Sequence, residues 1–141
     1  MTSSVVAEKW LHAALVADTT IHATVADRIY KQPAVAQPTY PCITFEQTGS
    51  DEEASIGLSG AIEYTDMEVC VVGQTEDDTT LLACADQIDA LLADQRATYG
   101  TTTTYVFRVL KTGIVNEPTI EGTVRYLRIG GLYRFAYQGT T

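Results

Sequence analysis

Apolar residues near the start of the chain recur at three- and four-residue steps. Between Ser4 and Ala17, Val6, Trp10, Leu11, Ala13 and Ala14 line one side of a helix. Ser3 or Ser4 can cap that helix, and Glu8 in its early turns suits the positive end of the dipole. Asp18-Thr19-Thr20 breaks the pattern, and a short helical piece over Thr20 to Ala26 then leads to an extended Arg28-Ile29-Tyr30. Pro33, Pro38 and Pro41 follow. Each removes a backbone donor and biases its predecessor to extended geometry, so the segment 32–41 reads as a connector.

The period then changes from helical to alternating. Cys42 to Thr48 is a strand with Ile43 and Phe45 on one face. Gly49 to Gly60 reads as a long, glycine-punctuated loop carrying Asp51, Glu52 and Glu53. A second strand from about Ala61 to Val72 changes phase between Ile62/Tyr64 and Met67/Val69/Val71, which predicts a bulge near Thr65 to Asp66. Glu76, Asp77 and Asp78 then place negative charge at a helix start, with Thr79 or Thr80 as cap. Leu81, Ala85, Ile88 and Leu92 form its apolar stripe, flanked by Leu82, Cys84 and Leu91.

After Tyr99-Gly100 and four threonines, Tyr105, Phe107 and Val109 alternate with Val106, Arg108 and Leu110; Gly113 to Asn116 continues this strand or turns back. The last strand is the strongest signal: Leu127, Ile129, Tyr133, Phe135 and Tyr137 share one parity, and Arg128, Arg134 and Gln138 the other. Gly130-Gly131 interrupts it and marks a bend or a close backbone contact. The order strand-strand, helix, strand-strand predicts an α+β fold. It has a mostly antiparallel sheet of about four to five strands, with an N-terminal helix and one long central helix packed against one face. A length of 141 residues fits one domain over 1–141.

Charge narrows the function. Eighteen acidic against nine basic residues give a net charge of −9 and a pI near 4.5. Tight nucleic-acid binding needs a basic stripe to displace counterions, and none exists here. An acidic surface suits a protein that repels DNA sliding past it, or simply keeps the chain soluble. Cys42, Cys70 and Cys84 are an odd count without CxxC spacing, so they read as reduced core residues. The first residues lack a basic region followed by a long apolar run, and no apolar stretch is long enough for a bilayer span. The expectation is a soluble intracellular chain with no membrane contact.

Catalytic constellations are missing. His12 lies inside the first helix and His22 soon after, with no nucleophile in a suitable context. Neither acidic trio, 51–53 or 76–78, has the alternate spacing of a calcium loop, and there is no HxH or HExxH. Gly57-Leu58-Ser59-Gly60 is not a phosphate-binding loop. The expectation is a chain that is not an enzyme and takes no metal and no cofactor.

The order of segments carries one further signal. The first helix ends in Leu15-Val16-Ala17-Asp18, followed by Val25-Ala26-Asp27-Arg28-Ile29-Tyr30 and Pro41-Cys42-Ile43-Thr44-Phe45. Asp66 to Gly73 then leads into the helix Thr79 to Asp94, and Tyr126-Leu127-Arg128 runs on to Phe135-Ala136-Tyr137. Over nearly the full length this resembles the phage tail-terminator, or tail-completion, family, although Gly130-Gly131 stands where bulkier residues are usual. The resemblance implies a structural virion protein of the tail, assembled in the host cytoplasm. It implies a ring, a hexamer, on the head-proximal end of the tail tube. There it stops tube polymerisation, offers the head connector or neck protein a joining surface, and lets DNA pass without specific binding. Asp51, Glu52 and Glu53 are the expected channel or tube-facing residues. Rival readings are a neck or head-completion protein on the connector side and a small soluble ligand-binding or inhibitor module.

Overall fold

The computed structural model describes residues 3–32, 39–53, 62–100 and 104–140. In chain order they form α1 (Ser3–Ala17), α2 (Thr19–Val25), β1 (Ile29–Lys31), β2 (Cys42–Glu53) and β3 (Ile62–Gln74). A 3-10 turn (Thr75–Asp77) follows, then α3 (Asp78–Leu92), β4 (Arg96–Tyr99), β5 (Thr104–Glu121) and β6 (Val124–Thr140). The strands make one six-stranded sheet in the order β1-β2-β3-β6-β5-β4. Only β1 and β2 run parallel; the other pairs are antiparallel.

The α+β class and the helix placement agree with the sequence pattern, but the sheet has six strands instead of four or five. The additions are short. β1 has three residues and β4 four, and Arg-Ala-Thr-Tyr carries too little alternation to announce itself. The segment Gly113 to Asn116 does not turn back: β5 runs on through Pro118 to Glu121 as one 18-residue strand. Its return is a two-residue turn, Gly122-Thr123, with Gly122 at φ 63°. Positive φ at the first turn position matches the right-handed twist of the flanking strands, and glycine adopts it without a Cβ clash.

The predicted bulge is displaced. β3 pairs with β6 without a register break from Glu63 to Gln74, so no residue bulges in it. The irregularity sits across the ladder at Thr48 of β2, where the register jumps between Gln47 and Gly49. Thr48 Oγ1 donates to the Asp66 carbonyl at 3.2 Å. The phase change in β3 has a simpler cause. Met67, Val69 and Val71 face the helices, whereas Ile62 and Tyr64 belong to the opposite parity and the face away from the helices.

Helix packing follows from the stripes, with small rotations. On α1 the buried residues are Ala7, Leu11 and Leu15, one per turn, while Ala13 is exposed. Trp10 stacks on Phe107 at 5.6 Å and meets Phe135 edge-on at 5.7 Å. The side chains of Ser3 and Ser4, the expected caps, lie outside the described residues. Asp18 caps α2, accepting from the Ile21 amide at 3.0 Å, and Gln87 on α3 donates to its other oxygen at 3.0 Å. α3 starts at Asp78, ahead of the expected threonine cap; its N-cap is Asp77, which makes no side-chain capping bond. Leu81, Cys84, Ala85, Ile88 and Leu92 are its buried stripe.

Three polar side chains on the helix side of the sheet are paired. Thr65 Oγ1 and the Tyr137 hydroxyl lie 2.8 Å apart, and the Tyr133 hydroxyl donates to Asp89 Oδ1 at 2.9 Å. Lys111 reaches the same carboxylate at 2.8 Å, which ties α3 to the β5–β6 ladder. Burial alone raises the Asp89 pKa, but the Lys111 and Tyr133 hydrogen bonds outweigh it and hold the carboxyl below its ordinary value. Gly130 has no room for any side chain: a Cβ there overlaps the Val69 carbonyl oxygen and lies 2.7 Å from Cys70 Cα. The double glycine is thus a close backbone contact, with β6 running straight through it.

Two stability measurements check this account. Gly130→Ala is expected to cost about 3 kcal/mol in urea unfolding, because the β3 backbone at Val69–Cys70 must move. Tyr133→Phe is expected to cost about 1.5 kcal/mol at neutral pH, the worth of a hydrogen bond to an ionised group. The Asp89 pKa is depressed in the fold, so its ionised contribution is present above the unfolded value and lost as pH falls through the folded one. The penalty of the Phe variant should therefore shrink below about pH 4.

Candidate assembly interface

Among the described residues, those that carry chemistry are dispersed or buried. Cys42, Cys70 and Cys84 are all buried. Burial pushes their thiols up to about 11, about 12 and about 11, so they stay protonated and serve as packing. His12 and His22 are exposed; His12 faces the Phe45 ring at 6.4 Å, and His22 Nδ1 lies 3.9 Å from Asp27. Among the described residues no group of three His, Cys, Asp or Glu side chains is arranged to hold a metal. No described helix is long and apolar enough to cross a membrane.

A partly polar hollow lies on the face of the sheet away from the helices. Gln32, Tyr40, Cys42, Thr44, Tyr126 and Arg128 line part of an open hollow of about 230 Å³. Tyr40 packs on Tyr126 at 4.9 Å between centroids, and the buried Thr44 hydroxyl has no hydrogen-bond partner among the described residues. The connector residues 33–38 lie outside the described residues.

The same face carries charge in compensated form. Arg128 pairs with Glu68 and, at 3.7 Å, with Glu117; Arg134 meets Asp66 at 2.9 Å and lies 5.5 Å from the Tyr64 ring centre. Near the β4–β5 edge Arg108 reaches Asp94 at 3.4 Å. Each of these guanidinium groups therefore already has a carboxylate, and the face offers a passing polyanion little to hold.

The acidic trio is placed differently from expectation. Asp51, Glu52 and Glu53 are strand residues at the end of β2, in register with Tyr64, Glu63 and Ile62 of β3. Their side chains and residues 54–61, the rest of the expected loop, lie outside the described residues. The loop is thus shorter than the sequence pattern indicated, because glycine and acid content hid a strand that continues past the Thr48 bulge.

What the structure offers instead is open sheet edge. β1 covers β2 only along Ile43–Phe45, with flanking bonds from the Gln32 amide to the Phe45 carbonyl and from the Ile43 amide to the Arg28 carbonyl. β4 covers β5 only along Tyr105–Arg108, with one more bond from the Val109 amide to the Gln95 carbonyl. Among the described residues, β2 from Glu46 to Glu53 and β5 from Leu110 to Glu121 have no strand on their outer side. The outer part of the β5–β6 hairpin also exposes Ile114 (77%) and Ile120 (68%) on the helix side, beyond the reach of α3. Sequence reasoning missed this arm. The available signal was Glu121-Gly122-Thr123-Val124, a two-residue glycine turn between alternating runs.

Comparison with known proteins adds to this geometry. No curated protein sequence matches the chain. One solved structure with a similar fold is a chain from a structure described as "Virion of native gene transfer agent (GTA) particle". It has a TM-score of 0.59 and 13% sequence identity over 91% of each chain, a likeness of fold. The sequence profile of the family described as "Tail completion protein gp17" matches residues 9–128. That span takes in all three helices except the first turns of α1, and every strand through the start of β6, so the chain belongs to the tail completion protein gp17 family and has a structural role in a phage-type tail.

Proposed function

We propose that this protein closes the head-proximal end of a tail tube as a ring, halts tube growth and presents the surface that joins tail to head. Family membership supplies the tail context. The observation that carries the finer reading is the pair of unequal open edges on one subunit. A ring needs a heterologous contact, in which one patch meets a different patch on the next copy. A subunit with two dissimilar edges on opposite sides of its sheet has the material for it. The gene transfer agent chain of the same fold comes from a virion particle, which supports placing this chain in a virion as well.

The face away from the helices suits the channel side of such a ring. Arg128 is neutralised in place by Glu68 and Glu117 and Arg134 by Asp66, and the subunit as a whole is at −9, so DNA moving through meets net repulsion. The β2–β3 hairpin, with Asp51, Glu52 and Glu53 at its described end, projects the densest acidic segment of the sheet toward the channel or the tube end.

Two outcomes test this reading. Particles made without the protein should carry overlong tails, seen by negative-stain microscopy; tails of normal length left unattached to heads would assign the chain to the neck instead. Replacing Asp51, Glu52 and Glu53 together by Asn, Gln and Gln should lower the yield of joined, infective particles about tenfold, through slower docking. Folding stability should stay within about 1 kcal/mol of the parent. Unchanged joining and DNA delivery would remove the trio from the interface.

A further inference from the structure

We infer that copies recognise one another in the ring through opposite charge at the two margins of the sheet, with Arg96 and Arg108 of one copy set against Asp51 on β2 of the next. This rests on the ring reading above and names its contact.

The sheet is divided in charge. β2 and β3 carry seven carboxylates and no base. β4, β5 and β6 carry six bases and two carboxylates. Where the two halves meet, between β3 and β6, the fold matches them itself: Asp66 takes Arg134, and Glu68 takes Arg128. What is left over lies at the outer margins. The β2 carboxylates stand on one side, and the bases of β4 and β5 on the other.

The basic margin is poorly satisfied within one copy. Arg96 and Arg108 are directly opposite each other in the β4–β5 ladder, an arrangement that destabilises a sheet when the charges are alike. Arg108 has the Asp94 carboxylate at 3.4 Å, with both side chains exposed. Arg96, also exposed, has no carboxylate partner among the described residues. A local conflict kept in an otherwise consistent sheet marks a place where a partner completes the pairing.

The levels agree. Through the ladders, Arg96, Arg108, Ala136, Tyr64 and Asp51 lie in one row across the sheet. A ring whose axis runs along the strands keeps every copy at the same level, so the basic end of this row in one copy meets the acidic end in the next. The short outer strands do not compete for that space. β1 lies in the row of Val115, through Tyr30, Thr44, Cys70 and Gly130, where β5 has no strand on its outer side. β4 lies in the row of Asp51, where β2 has none. Side by side, β4 of one copy and β1 of the next therefore take different rows of the same gap.

Charge also rejects the two-fold alternative. Copies that meet by the same margin oppose carboxylate to carboxylate or guanidinium to guanidinium, so unlike margins are favoured, which is the condition for a ring. Exposed ion pairs are individually weak and screened by salt, so they select and orient the neighbour more than they hold it.

Charge reversal in assembled particles tests this. Arg96→Glu should lower the amount of this chain in purified particles about tenfold, because it sets like charges across every contact of the ring. Asp51→Arg should do the same. The double variant should regain about half or more of the parent's incorporation, since each contact is matched again. Subunit stability moves differently: Arg96→Glu puts a carboxylate opposite Arg108, so thermal unfolding of the isolated subunit should hold or rise. Losses in both single variants without recovery in the double would overturn the contact and leave the ring reading standing. Parent-level incorporation of Arg96→Glu would do so too; a defect confined to Asp51→Arg would then assign that residue to the tube or the channel. Parent particles that lack any ring of this chain would overturn the ring reading itself.

Discussion

The pairing of β3 with β6 is the constraint on which the rest of the molecule depends. It runs without interruption from Glu63 to Gln74 and places Gly130, which has no room for a Cβ, against the Val69 carbonyl. Because the two backbones meet so closely there, Val69 and Val71 stand beside Ile129, Tyr133 and Phe135 on one face, where Leu81, Ile88 and Leu92 of α3 can reach them. Every other element attaches to this central pair. α3 is fastened through Asp89 to Tyr133 and Lys111, and α2 is fastened to α3 through Asp18 and Gln87. Trp10 brings α1 onto Phe107 and Phe135.

A rigid centre with unfinished margins follows from this arrangement. The side chains that hold large apolar surface, each contributing about 1.5–3 kcal/mol when fully buried, cluster between the helices and the central strands. The flanking strands β1 and β4 are too short to cover the long strands they join. Stability and association are thereby separated in space: the packed centre does not need the edges, and the edges can accept a neighbour without rearrangement of the core.

Much of this was legible in the residues. Period-two alternation located β6 because Leu127, Ile129, Tyr133, Phe135 and Tyr137 share the helix-side parity while Arg128, Arg134 and Gln138 take the other. The α3 stripe was equally plain. What sequence could not show was decided by partners distant along the chain. β4 is a strand because Arg96–Tyr99 lies beside β5, not because of its own composition. The displaced bulge had its visible symptom in β3 and its cause in β2, at Thr48. Asp51 to Glu53 looked like loop because acids and glycine are poor strand formers in isolation; a ladder with β3 overrides that preference. The open edges, central to the assembly proposal, are a property of strand-length mismatch, which no single segment displays.

The two-residue turn at Gly122 also shapes how the chain reaches this structure. Contacts between β5 and β6 are local near the turn and can form within microseconds, whereas β3 must find β6 across the intervening helix and two strands. The arm is therefore the natural early piece, and for a time it exists with both of its margins unsatisfied. Pro118 and the irregularity at Thr112 fall on that transient ribbon and interrupt its regular donor pattern. They protect a nascent chain from joining others before its body is complete.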